Sequence, residues 1–216
     1  MKILFIGNSH TFVHYVPLRV KNFFEQHNEK ADITMLAIPA IGLDYHLSMS
    51  QTYFNLMYGN YDAVVLQHNA HPFPGKQSLI ESGCKIAALC PEKTKIYLYM
   101  TWSERNNPEG QKAISEAYRE LASKTDATVC PVGDIWWKIK ETYPDELYFE
   151  DGEHASVFGS SLAAAVIART LLDIPAEINE IYNDAKDLEK IPQDQRMIDL
   201  VIKDGKLDME EKHIFE

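Results

Sequence analysis

Two short polar segments hold the residue types that nucleophilic catalysis requires. Ser9 lies in residues 7–11 (GNSHT), and residues 151–154 (DGEH) contain Asp151 and His154. A serine hydroxyl is inert at neutral pH until a histidine removes its proton, and that histidine needs a carboxylate to fix its tautomer. Asp151 and His154 are three residues apart, so one helical turn can place both on one face. We therefore predict Ser9 as the nucleophile, His154 as the base and Asp151 as the orienting carboxylate.

The negative oxygen of an acyl-transfer intermediate needs preorganised hydrogen-bond donors. The backbone N–H groups of Ser9 and Gly42 and the side-chain amide of Asn69 are candidates for this oxyanion hole. Taken singly, Ser9 is better explained as a helix cap, Gly42 as a turn glycine and Asn69 as a loop residue. The combination of these residues is what indicates catalysis.

The alternation of apolar runs and amphipathic stretches predicts the elements that position these residues. Strands are predicted at 2–6, 32–38, 62–67, 95–100 and 127–131, and helices at 14–28, 46–58, 76–90, 107–123 and 155–172. Such alternation implies a parallel sheet covered on both faces. We expect a three-layer α/β/α sandwich with a five-stranded parallel sheet of flavodoxin-like order. Ligands bind outside the carboxyl ends of such strands, where the polar segments converge.

Residues 173–216 differ in character from residues 1–172, which form the predicted catalytic domain. They hold thirteen acidic and six basic residues, and so carry −7 of the total charge of −11. One helical stripe consists of Ile178, Ile181, Tyr182, Ala185 and Leu188. Further on, either Asp204-Gly205 forms a hairpin turn or Met197, Leu200 and Val201 form another helix face. We expect an acidic extension that packs on the core, with a dimerisation arm, and hence a homo-oligomer, as the alternative.

The composition excludes several classes of protein. The chain has 216 residues, 45% of them hydrophobic and 25% charged, which is typical of a globular protein. A net charge of −11 argues against nucleic acid and anionic membranes as partners. Three cysteines without a C-x-x-C spacing suggest neither a disulfide framework nor a zinc site. No apolar run resembles a transmembrane span or a signal peptide, so we expect a cytoplasmic protein.

These segments resemble the four sequence blocks of the SGNH (GDSL-like) hydrolase superfamily. The first block is residues 7–11 with Ser9 as nucleophile, Gly42 and Asn69 fall at the second and third, and the last is residues 151–159 (DGEHASVFG), followed by the helical LAAAVIARTLL. The resemblance covers residues 1–172. It implies an esterase or deacylase, independent of metals and cofactors, that acts on an acyl ester, commonly an acetyl group on a sugar.

The sequence departs from the family pattern at four positions. Asn8 stands where many members have aspartate. Gln67 and Ala70 replace the glycine and the aspartate of the usual Gly-x-Asn-Asp, and Ala155 replaces the proline that usually follows the histidine. The three triad residues are retained, and the changes fall next to the predicted nucleophile, on either side of the oxyanion-hole candidate Asn69 and directly after the predicted base His154.

Other residues are predicted to lie at the same edge of the sheet. We predict that His10, His68, His71 and Trp102 contact substrate, Trp102 by stacking on a sugar ring; a core or lid tryptophan is the alternative. His10 and His14 are four residues apart, a spacing that a metal could bridge. Since no H-E-x-x-H pattern accompanies them, we predict no metal site.

The predicted function is hydrolysis of short acyl esters by a serine nucleophile, with a small-molecule ester, such as an acetylated sugar, as the binding partner. The predicted rim is polar, and a long acyl chain gains binding energy only where an apolar slot receives it. Two alternatives are a flavodoxin-like flavin-binding protein, in which residues 7–11 cradle a phosphate, and a non-catalytic interaction module on a hydrolase scaffold. The flavin hypothesis leaves residues 151–154 unexplained.

Overall fold

The computed structural model describes residues 1–192 and the backbone of 202–203 and 206–207. Five parallel strands form the central sheet: β1 (Lys2–Gly7), β2 (Asp32–Ala37), β3 (Ala63–Leu66), β4 (Lys95–Tyr99) and β5 (Thr128–Cys130). Their order is β2-β1-β3-β4-β5. This confirms the predicted five-stranded sheet of flavodoxin-like order, and it places β1 and β3 side by side at the centre.

Helices cover both faces of the sheet. In chain order they are α1 (Ser9–Phe12), a 3-10 turn (Val13–Tyr15), α2 (Val16–Gln26), α3 (Leu43–His46), α4 (Ser50–Tyr58), α5 (Lys76–Leu89), α6 (Gly110–Thr125), α7 (Val132–Thr142), α8 (Val157–Leu171) and α9 (Ile178–Glu189). Successive side chains of a strand point to opposite faces, so Ile3 and Phe5 join one core while Leu4 and Ile6 join the other. The first core contains α2, α7, α8 and α9, and the second contains α3 to α6.

Two helices begin later in the structure than the sequence predicts. The predicted helix 14–28 starts at Val16, because Pro17 fits the first turn of a helix but not its interior. Before it, His14 and Tyr15 adopt the left-handed region with φ of 51° and 62°. The predicted helix 46–58 begins only at Ser50, as α4. The buried side chains of Leu43 and His46 anchor a separate short helix, α3, which was not predicted and lies next to β1.

Residues beyond 172 join the first core through α9. Its residues Ile181, Ala185 and Leu188 are buried there. Arg19, a fully buried residue of α2, donates to the Leu188 carbonyl and, over 2.8 Å, to the His14 carbonyl. Burial lowers the pKa of Arg19 to about 10. This guanidinium therefore ties α9 to the left-handed segment that follows the predicted nucleophile.

The second half of the extension is described only in part. Two short strands, β6 (Ile202–Lys203) and β7 (Lys206–Leu207), pair antiparallel, as the hairpin alternative requires. The turn Asp204-Gly205 and the residues Met197, Leu200 and Val201 of the helical alternative lie outside the described residues. Within the described residues, none of the helices combines the length and apolarity needed to cross a bilayer.

Candidate active site

Ser9, His154 and Asp151 form one chain of hydrogen bonds. Ser9 Oγ lies 2.8 Å from His154 Nε2, and His154 Nδ1 lies 2.7 Å from Asp151 Oδ2. An ionised carboxylate only accepts, so Nδ1 carries the proton, and Nε2 is left to accept from the serine hydroxyl. The structure thus brings together the predicted nucleophile, base and orienting carboxylate across 145 residues of sequence.

The predicted nucleophile, Ser9, lies at the turn between β1 and α1. Asn8 caps α1 by accepting from the His10 N–H over 3.1 Å. From β3, the Gln67 side-chain oxygen accepts from the Asn8 N–H over 2.8 Å and from Thr11 Oγ1 over 3.0 Å. Gln67 therefore fixes the residues on both sides of Ser9, and the position of the hydroxyl follows from that.

Gly7 makes this arrangement possible. A Cβ atom there would lie 2.3 Å from Thr11 Oγ1 and 2.5 Å from Gln67 Oε1, closer than real side chains approach. Only glycine at the end of β1 leaves room for the Gln67 amide over the turn.

The loop of Asp151 and His154 is shaped by its own carboxylate. Asp151 Oδ1 accepts from the N–H groups of Glu153 and His154, each over 2.9 Å. Burial alone would raise the pKa of Asp151, but the hydrogen bonds from the His154 ring and from these two N–H groups outweigh it and lower the pKa to about 2. Asp151 is therefore charged at neutral pH and holds the His154 ring by its Nδ1–H.

Asn8 connects the three candidate oxyanion donors. Its Nδ2 donates to the Ile41 carbonyl and to Asn69 Oδ1, both over 2.9 Å. Ile41 precedes Gly42, and Asn8 itself precedes Ser9. Because Asn69 Oδ1 is engaged by Asn8, the Asn69 amide nitrogen is the group that remains for a ligand. In the part of the chain that the structure describes, the N–H groups of Ser9 and Gly42 also donate to no other residue.

No protein-family model matches the sequence, and no curated protein matches it. Several solved structures, however, match the fold of the chain. A DUF4886 family protein from Bacteroides uniformis is 17% identical with a TM-score of 0.69, over 88% of this chain and 93% of that one. A member of the lipolytic G-D-S-L family from Veillonella parvula is 13% identical with a TM-score of 0.59, over 81% and 97%. A variant of an acetyl xylan esterase from Geobacillus stearothermophilus is 14% identical with a TM-score of 0.61, over 80% and 93%. The chain has the fold of the SGNH hydrolases.

In this SGNH-like fold, Gly42 is required by space. A Cβ atom at Gly42 would lie 2.5 Å from Asp44 Oδ1 and 2.7 Å from the His68 ring, although its φ of −100° is open to any residue. The Leu43 N–H donates to His68 Nδ1 over 3.0 Å, so His68 supports the glycine loop. The prediction that His68 contacts substrate is wrong, because this side chain is fully buried. Burial lowers the pKa of His68 to about 4.

Trp102 does not offer a face to a sugar, so that prediction is also wrong. Its indole is fully buried and stacks on Trp136 of α7, with the ring centroids 3.9 Å apart. Its Nε1–H donates to the Glu153 carbonyl over 2.9 Å. Trp102 is thus the core tryptophan of the alternative interpretation, and it supports the loop that carries His154.

The remaining histidines of the SGNH-like site have different surroundings. His10 is almost completely buried and stacks on His154, whereas His71 is half-buried beside it. His14, the other half of the pair considered for a metal, lies near Phe149 with the rings 6.4 Å apart. Among the described residues, no group of three or more His, Cys, Asp or Glu side chains is arranged to hold a metal ion.

Sequence reasoning missed the roles of Asn8 and Gln67. Both departures from the SGNH pattern fall at the ends of neighbouring strands, β1 and β3, and the two residues are hydrogen-bonded to each other. The available signal was that both changes introduce carboxamide groups at the edge where ligands bind. Together they form a hydrogen-bonded frame that connects the turn of Ser9 to the segments of Gly42 and Asn69.

This frame predicts that Asn8→Asp is damaging, although aspartate is common there in the family. A carboxylate cannot donate to the Ile41 carbonyl or to Asn69 Oδ1. The Asn69 amide would rotate to donate to the new carboxylate, and its nitrogen would leave the oxyanion site. We expect kcat for an ester to fall about 100-fold, as for loss of one oxyanion donor. Asn22→Asp, on the exposed side of α2, is the matched control. Equal kcat for both variants would contradict the role of Asn8.

Proposed function

We propose that the protein is a serine esterase that hydrolyses short acyl esters, acetyl esters of carbohydrates foremost. The observation that carries the proposal is the hydrogen-bond chain from Ser9 through His154 to Asp151, with its two links of 2.8 and 2.7 Å. Such a chain activates a hydroxyl that is otherwise inert, and it recurs on unrelated folds because the chemistry demands it.

In the proposed first half-reaction, Ser9 Oγ attacks the acyl carbon while His154 Nε2 takes the hydroxyl proton. The carbonyl oxygen becomes negative and is stabilised by the N–H groups of Ser9 and Gly42 and by the Asn69 amide. His154, now doubly protonated, is stabilised by Asp151 and gives its proton to the leaving alcohol. The acyl group remains on Ser9 as an ester.

In the second half-reaction, a water molecule takes the place of the alcohol. His154 Nε2 removes its proton, the resulting hydroxide attacks the acyl carbon, and the same donors stabilise the second negative oxygen. When the intermediate collapses, the proton returns from His154 to Ser9 Oγ and the carboxylic acid leaves. The chain's own residues complete the cycle, so the proposal includes no metal or cofactor.

The substrate class is supported by the polarity of the site. Asn69, a half-buried side chain that Asn8 holds at the end of β3, is polar and suits hydroxylated alcohols better than lipid chains. The net charge of −11 disfavours anionic lipid surfaces. Two variants of a single enzyme with this fold are described as an acetyl xylan esterase and an acetyl-xylooligosaccharide esterase. Since Trp102 is buried, stacking on that indole no longer supports a sugar substrate.

The alternatives have less support. A phosphate cradle at residues 7–11 needs free N–H groups, but those of Asn8 and His10 are already engaged by Gln67 and by the Asn8 side chain. This counts against flavin binding, which a colourless purified protein would exclude. A non-catalytic module has no need for an aligned triad, so the geometry favours an enzyme over an interaction module.

Short acyl groups are expected to be the better substrates. We expect kcat/KM for chromogenic esters to be highest for acetyl and to fall towards octanoyl, because each methylene would gain about 0.8 kcal/mol only in an apolar slot. Acetylated xylo-oligosaccharides should release acetate in the same assay. Ser9→Ala supplies the background rate of each ester. Faster turnover of octanoyl than of acetyl esters would contradict the substrate class and favour a lipid or thioester.

A further inference from the structure

The ring of His154 lies against a second imidazole that the triad does not use. His10, only 6% exposed, stacks on His154 with the centroids 4.9 Å apart and the planes at 14°. The rings of Trp102 and His71 also pack against His10 in edge-to-face arrangements, with centroids 5.2 and 4.8 Å away. The buried hydroxyl of Tyr99 donates to the His10 carbonyl over 3.1 Å. His10 is therefore fixed on several sides, and it can fix the plane of His154.

A hydrogen-bond chain sets the protonation of His10. His71 Nε2 lies 3.1 Å from the Trp102 carbonyl, which only accepts, so His71 donates from Nε2. In a neutral His71, Nδ1 then accepts, and its partner over 3.1 Å is His10 Nε2. His10 must therefore carry its proton on Nε2. Its Nδ1 is buried without a hydrogen-bond partner among the described residues, so a second proton there would be an unpaired buried donor.

Burial keeps both imidazoles neutral. It lowers the pKa of His71 to about 4, although the carboxylates of Glu104 and Asp151 act in the opposite direction. Burial also lowers the pKa of His10 well below its usual value, with further lowering from His71 and His154. The titratable groups that act on the pair are thus the carboxylates of Glu104 and Asp151, next to His71, and the imidazole of His154, next to both.

Neutrality of His10 matters at the moment when His154 becomes an imidazolium. The face of a neutral aromatic ring attracts an adjacent cation, whereas a second imidazolium would repel it. A ring of fixed charge and orientation also prevents rotation of His154 away from Ser9.

We propose that His10 is a positioning residue for His154: a neutral imidazole, held by His71 and the Trp102 carbonyl, that fixes the plane of the catalytic ring and favours its protonated form during acyl transfer. This inference rests on the proposed esterase function. It assigns to His10 and His71 a role in the support of the base rather than contact with substrate.

Substitutions at His10 separate a stacking role from a hydrogen-bonding or purely structural one. His10→Ala removes the ring, and we expect kcat for a small acetate ester to fall about 10- to 30-fold with KM unchanged. His10→Phe restores an aromatic face and should recover most of this loss. His27→Ala, which removes a histidine stacked on Phe23 at the end of α2, is the matched control and should retain wild-type kcat. Equal kcat for His10→Ala and wild type, or equal losses for Ala and Phe, would overturn the inference.

A second readout does not depend on turnover. In nitrogen-15 NMR of the wild-type protein, His10 should show the Nε2–H tautomer and should not titrate between about pH 5 and about pH 8. In His71→Phe, the chain to Trp102 is cut and the His10 tautomer signal should change. A wild-type His10 that titrates in this range, or that carries its proton on Nδ1, would overturn the inference even if the esterase is active. No ester turnover by wild type would overturn the proposed function instead, while the tautomer of His10 would still be decided.

Discussion

Ser9→Ala is expected to abolish ester hydrolysis and leave the fold intact. In the proposed mechanism the Ser9 hydroxyl oxygen forms the acyl intermediate, and its loss leaves only binding and the oxyanion donors to accelerate attack by water. In a comparable triad, loss of the nucleophile costs about a million-fold in kcat. Kinetics with a chromogenic acetate would measure the loss, and circular dichroism with a thermal melt would check the fold.

The control for this variant is another buried serine. Ser82→Ala removes a hydroxyl that donates to the carbonyl of Ser78 within its own helix, α5. This helix lies on the face of the sheet that α3 to α6 cover. The variant should retain wild-type turnover, which separates the loss of a nucleophile from the loss of a buried hydroxyl. Near-normal hydrolysis by Ser9→Ala would show that the reaction does not use this serine.

The sheet and the proximity of Ser9, His154 and Asp151 could be predicted because their signals are local. The run 2–6 and the glycine after it mark a buried strand and its end, and Asp151 and His154 are close in sequence. The parallel topology then brings strand ends together by a general rule. Ser9 and His154 needed no knowledge of side-chain packing, because strand order alone places their loops at the same edge.

Trp102 could not be predicted in the same way. Its position directly after β4 indicates the ligand edge, but its burial is decided by Trp136, which comes from α7 and stacks on it. Nothing in the residues around Trp102 indicates that partner. The burial of His68 is likewise decided by a contact distant in sequence, because its hydrogen-bond partner Leu43 is the first residue of α3. Contacts between side chains far apart in sequence decide whether a residue at the rim faces substrate or core.

The roles of Asn8 and Gln67 also depend on a distant contact. Each was visible only as a departure from a family pattern. Their meaning comes from the pairing of β1 with β3, which lets the Gln67 oxygen reach the Asn8 N–H. Asn8 in turn donates to Asn69, so the altered residues compensate one another. The left-handed backbone at His14 and Tyr15 likewise has no signal in a sequence that continues the helical pattern of α2.

The second large effect is expected for Asp151→Asn, with a loss of about 10⁴-fold in kcat. The amide oxygen of asparagine can still accept from the N–H groups of Glu153 and His154, so the loop should keep its shape. Its nitrogen would then face His154 Nδ1 and donate to it. Nδ1 would have to accept, the proton would move to Nε2, and the ring could no longer take a proton from Ser9. The variant should therefore fold normally and fail as a catalyst because of the wrong tautomer.

The control is Asp187→Asn, which removes an exposed carboxylate paired with Lys190 on α9 and should leave kcat unchanged.

The pH dependence adds an independent check. The pKa of Asp151 is lowered to about 2, so its carboxylate, including whatever stability its charge contributes, is retained above about pH 4 and lost only as the pH falls towards about 2. Asp151 therefore does not account for a loss of activity on mild acidification, whereas a histidine base predicts such a loss because it has to be neutral to take the serine proton. A wild-type rate that stays constant from neutral pH down to about pH 4 would contradict a histidine base, and wild-type kcat in Asp151→Asn would contradict the orienting carboxylate.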